Sequence, residues 1–277
     1  MSNSRYGIGA VVNYCTNEYP FLSPCLSELE KFCARIVVVI CDHFFDGTPE
    51  NPVLIRRSIE ENRHRAQFLT YPYSRDEDRG KAGKFYWEVK GRWLGCLELQ
   101  DCEHIYFIDV DEIVESSKFI AWLEGFAVKM EVAGSGPRIL TYRDIDALQF
   151  RAYWYFRDVI YRSTVLENSS MLIRRTRLTQ NAVMSRQARH SLFKLTRGIH
   201  GDAITALDNT PMVHHYSWVR TKEQMLRKVL SWTHSSDRDW VPLVEKEFSS
   251  QTFSGVDFVH GYSFEIVNPY VKIDLGL

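Results

Sequence analysis

A chain of 277 residues, 45% hydrophobic and 25% charged, holds enough apolar material for one large α/β domain with a sizeable core. Its formal net charge of −1 excludes bulk electrostatic binding to nucleic acid, although a local phosphate site needs only a few groups. No run approaches the roughly 18 apolar residues that span a bilayer, and Met1-Ser2-Asn3-Ser4-Arg5 lacks a signal peptide's apolar stretch, so a cytoplasmic protein, soluble or peripherally membrane-associated, is expected.

Residues 8–14 form a short apolar run, as a buried parallel strand does. Phe21, Leu22, Cys25, Leu26, Leu29, Phe32 and Cys33 then recur at three- and four-residue spacings, which is one face of a helix. Ile36-Val37-Val38-Val39-Ile40 is β-branched and apolar throughout, a strand covered on both faces. Gly47, Pro49 and Pro52 punctuate a loop, and a helix follows through Ile59. Residues 67–73 read as a third strand, and 85–99 as a helix with Val89, Trp93, Cys96 and Leu97 inward. A fourth strand, 105–108, runs into Asp109.

Strands alternating with helices predict a parallel sheet with right-handed crossovers, which binds ligands at the carboxyl ends of its strands. Three strand ends carry polar groups: Thr16-Asn17-Glu18, Asp42-His43 and Asp109-Val110-Asp111. Six cysteines (Cys15, Cys25, Cys33, Cys41, Cys96 and Cys102) include no CxxC pair and lie mostly in apolar runs, so they read as reduced core thiols.

Asp109 and Asp111 stand two apart where a hydrophobic strand ends, and in an extended chain such residues share a side. Both carboxylates can then approach one hard cation, Mn²⁺ or Mg²⁺, whose shell is completed by phosphate oxygens. Such a cation neutralises the charge that develops on a departing diphosphate. A solvated acidic turn is the plainer alternative, and Glu112 is either supporting or exposed.

Farther on, 149–163 is dense in rings: Phe150, Tyr153, Trp154, Tyr155, Phe156 and Tyr161. They suit either a strand pair that stacks rings on a sugar or a β-meander packed on the core. Leu226, Val229 and Leu230, then Trp240, Val241, Val244 and Phe248, have the spacing of C-terminal helices packed on the sheet.

Three stretches resemble the family 2 glycosyltransferases in order and spacing, over roughly residues 8–115. Asn17-Glu18 with Phe21-Leu22 and Cys25-Leu26 is similar to the family's opening, where Asn-Glu ends the first strand. Val38 to Glu50 resembles its second strand and Asp-Gly-Ser-x-Asp-Gly-Thr loop, with Asp42 on the base-contacting aspartate, although His43-Phe44-Phe45 departs from the pattern. Arg92, 17 residues before Asp109, falls near the arginine of the Ala-Arg-Asn motif, with Trp93 where the family has Asn. The segment His214-His215-Tyr216-Ser217-Trp218-Val219-Arg220, followed by Met225, Lys228 and Trp232, is similar to a divergent branch of such enzymes.

The resemblance implies a GT-A fold: a Rossmann-like, mostly parallel sheet flanked by helices, with a C-terminal helical elaboration. It implies one domain over 1–277, with 1–133 binding nucleotide and 134–277 binding acceptor, the border falling at Gly134-Ser135-Gly136-Pro137. Thr16, Asn17, Glu18, Asp42, Arg92, Asp109 and Arg220 become candidate contacts to the nucleotide-sugar, Arg220 and Lys222 meeting the diphosphate. A late histidine often completes the metal shell in this fold; neighbours on a strand face opposite ways, and His215 rather than His214 is expected beside Asp109 and Asp111. Ser169 to Arg175 resembles the strand near the donor sugar. Asp202 leads as general base for in-line attack, with Glu167 and Asp158 competing.

The implied activity is metal-dependent transfer of a sugar from a UDP-linked donor to a glycan or lipid-linked acceptor, inverting on the resemblance alone. A sugar-1-phosphate nucleotidyltransferase is one alternative, but Tyr6-Gly7-Ile8-Gly9 is too short for its triphosphate loop and precedes the strand. A carbohydrate-binding protein without turnover is the other.

Overall fold

The computed structural model describes residues 6–77, 83–132, 136–200, 203–250 and 252–275, and of 130–132 and 194–200 the backbone alone. In chain order β1 (Ile8–Tyr14), α1 (Tyr19–Leu29), β2 (Arg35–Cys41), α2 (Pro52–Asn62), β3 (Gln67–Tyr71), α3 (Lys84–Glu98) and β4 (His104–Asp109) alternate strand with helix. β1 pairs in parallel with β2 and β4, and β2 with β3. All four carboxyl ends therefore reach the same edge of the sheet.

The continuous apolar character of β1 and β2 has a direct cause. Ala10, Val12, Val38 and Ile40 pack in one core cluster with α1, while Val11, Val37 and Val39 pack in a second with Trp87 and Cys96 of α3. A strand buried on both faces has no polar side to present. α3 comes unusually close to the sheet: a Cβ on Gly95 would lie 2.6 Å from a methyl of Val11, and one on Gly91 2.8 Å from the Tyr71 hydroxyl.

The rest of the chain comprises β5 (Glu112–Val114), α4 (Ser116–Gly125), β6 (Val128–Val132), β7 (Gly136–Leu140), β8 (Ala147–Phe156), β9 (Tyr161–Ser163), β10 (Glu167–Arg174), α5 (Gln180–Met184), α6 (Arg186–His200), β11 (Val213–Trp218), α7 (Lys222–Ser231), α8 (Val241–Glu247) and β12 (Phe264–Ile266). β10 joins β4 antiparallel, β8 joins β10 antiparallel, and β11 bridges β8 and β5. The product is a mixed α/β fold with a curled central sheet, mainly parallel at its heart and flanked by helices, as the GT-A architecture requires. Among the described residues no helix is long and apolar enough to cross a membrane.

Several local expectations change. Leu97 points outward, 39% exposed, and Trp87 is buried instead. Gly95 faces the sheet, and two residues farther along a helix is about 200° around it. Leu230 and Val241 are likewise exposed, so Met225, Val229 and Val244 pack these helices. Of the rings in 149–163, Phe150, Trp154, Tyr155 and Phe156 are buried core. The expected border at Gly134-Ser135-Gly136-Pro137 lies partly outside the described residues; Gly136 and Pro137 open β7, which pairs antiparallel with β6. All six cysteines are free thiols.

Candidate functional site

A cleft of about 510 Å³ opens at the carboxyl ends of the four parallel strands, a size typical of small-ligand sites. Asn13 and Cys15 come from the end of β1, Val39 and Cys41 from β2, Tyr71 from β3 and Asp109 from β4. β11 adds His215 and Ser217, α7 adds Lys228 and Ser231, and the segment after α7 adds Trp232, Thr233 and His234.

Asp109 and Asp111 both line this cleft, by a different route from the one their spacing suggests. Val110 and Asp111 form a turn between β4 and β5, so strand alternation does not govern their side chains. Asp109 Oδ1 accepts from Arg92 Nη2 at 2.8 Å and from Asn13 Nδ2 at 3.1 Å, and Arg92 also donates to Glu88 at 2.9 Å. Asp111 Oδ2 accepts from Arg220 Nη2 at 2.7 Å, and the same nitrogen donates to Glu18 at 2.6 Å. Glu112 is buried and supporting: its carboxylate accepts from the Asp109 N–H at 3.1 Å and steadies the turn.

The electrostatics follow from this crowding. Burial drives the Asp111 carboxyl up, but Lys228, Arg220 and His215 more than offset it and hold it at about 2. Burial and the neighbouring Asp111 push the Glu18 carboxyl to about 8. Burial also lowers the His215 imidazole, which favours its neutral, ligating form. Two close carboxylates whose values are driven apart mark a pair that shares its charge.

The adjacent histidines separate as strand geometry demands. His214 turns inward, its Nδ1 2.7 Å from the Tyr155 hydroxyl and its Nε2 2.8 Å from Glu115. His215 faces the cleft with Nε2 3.7 Å from Asp111 Oδ1. That gap exceeds a hydrogen bond, yet it lies within the ~4 Å that two ligands of one hard cation subtend. No group of three or more His, Cys, Asp or Glu converges on one point among the described residues. Asp111 and His215 are thus adjacent, and Asp109 lines the same cleft without closing a three-ligand group with them.

The other sequence candidates are placed as follows. Asn17 and Glu18 line the cleft, and Asn17 Nδ2 donates to the Gln224 carbonyl of α7 at 2.9 Å. Thr16 lies behind it, donating N–H and hydroxyl to Glu50. His43, not Asp42, faces the cleft; Asp42 Oδ1 accepts from the Tyr73 N–H at 2.7 Å and pairs with His43 at 2.7 Å. Arg220 has no solvent-exposed side chain and is committed to Glu18 and Asp111. Lys222 turns to Glu245 of α8 at 2.5 Å, away from the cleft.

Among the catalytic acids, Glu167 does not line the cleft. Its strand neighbour Asn168 does, while Glu167 stands 3.5 Å from His260, with its carboxyl raised to about 7 by burial and then by Asp257. Asp158 accepts from the Ile160 N–H in a loop and is not part of the cleft wall. Asp202 lies outside the described residues. None of the rings of 149–163 lines the cleft either; Phe150, Trp154, Tyr155 and Phe156 of β8 are packed in the core.

Sequence reading overlooked Asn13, Glu88 and Asn168 and gave Glu50 and Lys228 no site role, yet all five line the cleft. Asn13 carries a readable signal: one amide inside an otherwise apolar strand. Lys228 has one as well, four residues before Trp232 on an amphipathic helix, where such residues share a face.

No family profile matches this chain, and no curated protein matches it. Among solved structures it is similar to the inositol-1-phosphate CTP transferase from T. maritima, at 7% identity and a TM-score of 0.41, over 82% of this chain and 96% of that one. It is similar to the mannosyltransferase PcManGT from Pyrobaculum calidifontis, solved with GDP-Man and Mn²⁺, at 14% identity and 0.38, over 87% and 68%. The glycosyltransferase GlyE of Streptococcus pneumoniae TIGR4 aligns at 10% identity and 0.37, over 87% and 63%. Each is a distant resemblance.

Proposed function

We propose that this protein is a glycosyltransferase that moves a sugar from a UDP-linked donor to a hydroxyl of a glycan or lipid-linked acceptor. Mn²⁺ or Mg²⁺ would be held by Asp109, Asp111 and His215. One observation carries the reading: these three side chains reach a single cleft at the ends of parallel strands, in company with Glu18, Glu50, Glu88 and one lysine, Lys228. Arg92 and Arg220 are taken up by these acids, so an accompanying cation would supply positive charge that an anionic donor otherwise meets in the cleft wall only at Lys228. When bound, the cation supplies charge neutralisation for the departing diphosphate.

The chain's own residues prepare that geometry. Arg92 and Asn13 fix Asp109 from one side, and Arg220 fixes Asp111 from the other, leaving Asp109 Oδ2 and Asp111 Oδ1 for ligation. Asn17, Glu18 and His43 are the donor contacts that the cleft offers. In the transfer, the acceptor oxygen bonds the anomeric carbon as that carbon's bond to the diphosphate breaks. The bonding pair leaves on the diphosphate, and the hydroxyl proton passes to a general base. Inversion belongs to this reading through the family 2 resemblance.

The nucleotidyltransferase alternative loses support from placement. Gly7 and Gly9 lie at the start of β1, the end opposite the cleft, and Gly9 packs where a Cβ would meet Cys102 Sγ at 2.7 Å.

Thermal shift with UDP, GDP and CTP, each with and without Mn²⁺, tests the proposal. UDP with Mn²⁺ should raise Tm in the wild type, and Asp111→Asn and His215→Ala should lose that rise. Stabilisation by CTP alone would favour nucleotidyl transfer, and no shift with any nucleotide would favour a sugar-binding protein. Donor hydrolysis at equal rates by wild type and Asp111→Asn would remove the metal mechanism.

A further inference from the structure

We infer that Lys228 of α7 is the protein's own cationic contact to the donor's diphosphate. The inference rests on the nucleotide-sugar reading above and assigns a group to a charge that the reading leaves with the metal alone. Among the described residues Lys228 is the single lysine or arginine lining the cleft. The other basic candidates are engaged elsewhere: Arg220 with Asp111 and Glu18, Arg92 with Asp109 and Glu88, Lys222 with Glu245.

Lys228 Nζ stands 3.9 Å from Asp111 Oδ2, near enough to feel that charge and too far for a hydrogen bond. Its side chain is 14% exposed, so the ammonium sits in the cleft wall rather than in bulk solvent. An ammonium has three donors, and those of Lys228 make no hydrogen bond to the described residues that would hold it away from an incoming phosphate. It lies beside the Asp111–His215 gap, so an oxygen shared between a cation there and this ammonium would be neutralised from two sides.

The helix that carries it is held in place. Thr221 and Gln224 form a capping box at its start. Asn17 holds the Gln224 carbonyl, Arg227 donates twice to Asp46 at 2.9 Å, and Lys84 donates to the Leu230 carbonyl at 2.7 Å. Lys228 therefore reaches the cleft from a fixed base, which lowers the ordering cost of a contact to phosphate.

Titration of wild type, Lys228→Met and Lys228→Arg with UDP and with uridine, all in Mn²⁺, tests this. Lys228→Met should weaken UDP by roughly 10–100-fold and leave uridine within a factor of about two, while Lys228→Arg keeps most UDP affinity. If Lys228→Met binds UDP as well as the wild type does, or loses UDP and uridine equally, the assignment is overturned and the nucleotide reading stands. A wild type that binds neither ligand overturns both.

Discussion

At Glu50 the local chemistry yields a measurable pH dependence. This residue is 5% exposed in the cleft wall and accepts from the N–H and hydroxyl of Thr16. Burial raises its carboxyl to about 7, against the opposing pull of the Thr16 bonds and Arg227. A carboxyl raised above its unfolded value of about 4.3 holds its proton more tightly when folded. Its stabilising contribution is complete below about pH 4 and is lost as pH rises through 7. Glu50→Gln should therefore flatten the fall in Tm between pH 5 and 8 relative to the wild type, a linkage on the order of 3 kcal/mol. Parallel Tm curves for the two proteins would assign the pH dependence to other groups. Asp109 and Asp111 were legible from their place after an apolar strand, and His215 from the alternation of a strand. The arginines that orient the acids were legible only in part. Arg92 stood out through its spacing to Asp109, while the burial of Arg220 against Asp111 joins residues 109 apart in sequence.

Among the elements, α3 matters most to the site, because it carries Glu88 to the cleft wall and Arg92 to Asp109 behind it. Its close approach depends on Gly91 and Gly95, whose missing side chains let the helix backbone settle on β1–β3. Gly normally weakens a helix by about 1 kcal/mol relative to Ala, so two of them facing a sheet indicate a packing requirement. Gly95→Ala should reverse the usual gain: the new Cβ meets Val11 at 2.6 Å and pushes α3 outward. Urea denaturation is expected to show a loss of about 1–3 kcal/mol, together with weaker binding of UDP and Mn²⁺ as Arg92 withdraws from Asp109. A variant as stable as the wild type would mean that the helix shifts freely. Helical periodicity located α3 correctly and misjudged its phase at Leu97, because periodicity scores hydrophobic residues and the inward face here is partly glycine.

For the molecule as a whole, the cleft is closed by segments distant in sequence. Arg227 binds Asp46, its guanidinium lies 4.1 Å over the Phe44 ring, and Lys84 holds the end of α7 and Ser235. The loop after β2 and the helix after β11 thus form one wall. Hydrogen exchange with UDP and Mn²⁺ should slow residues 44–50 and 231–234 together, leaving the β6–β7 hairpin unchanged. Slowing confined to one of the two segments would show that they do not act jointly. The apolar cluster of Trp154, Phe156, Trp218, Trp240 and Val244 gives this wall its backing, which explains why these rings of β8 serve packing rather than an acceptor.

What the sequence alone determined was the alternation of strands and helices in the first half and the polar strand ends that converge on one edge. Both are local: apolar period and residue type act over a few neighbours, and parallel pairing then brings the ends together. Only the tertiary structure decided which charges meet. Whether Arg220 is buried and Lys228 faces the cleft, or Glu167 turns away while Asn168 turns in, depends on how α7, β10 and β11 close on a sheet built by residues far earlier in the chain. Desolvation and charge pairing across that distance leave no periodic trace in the chain.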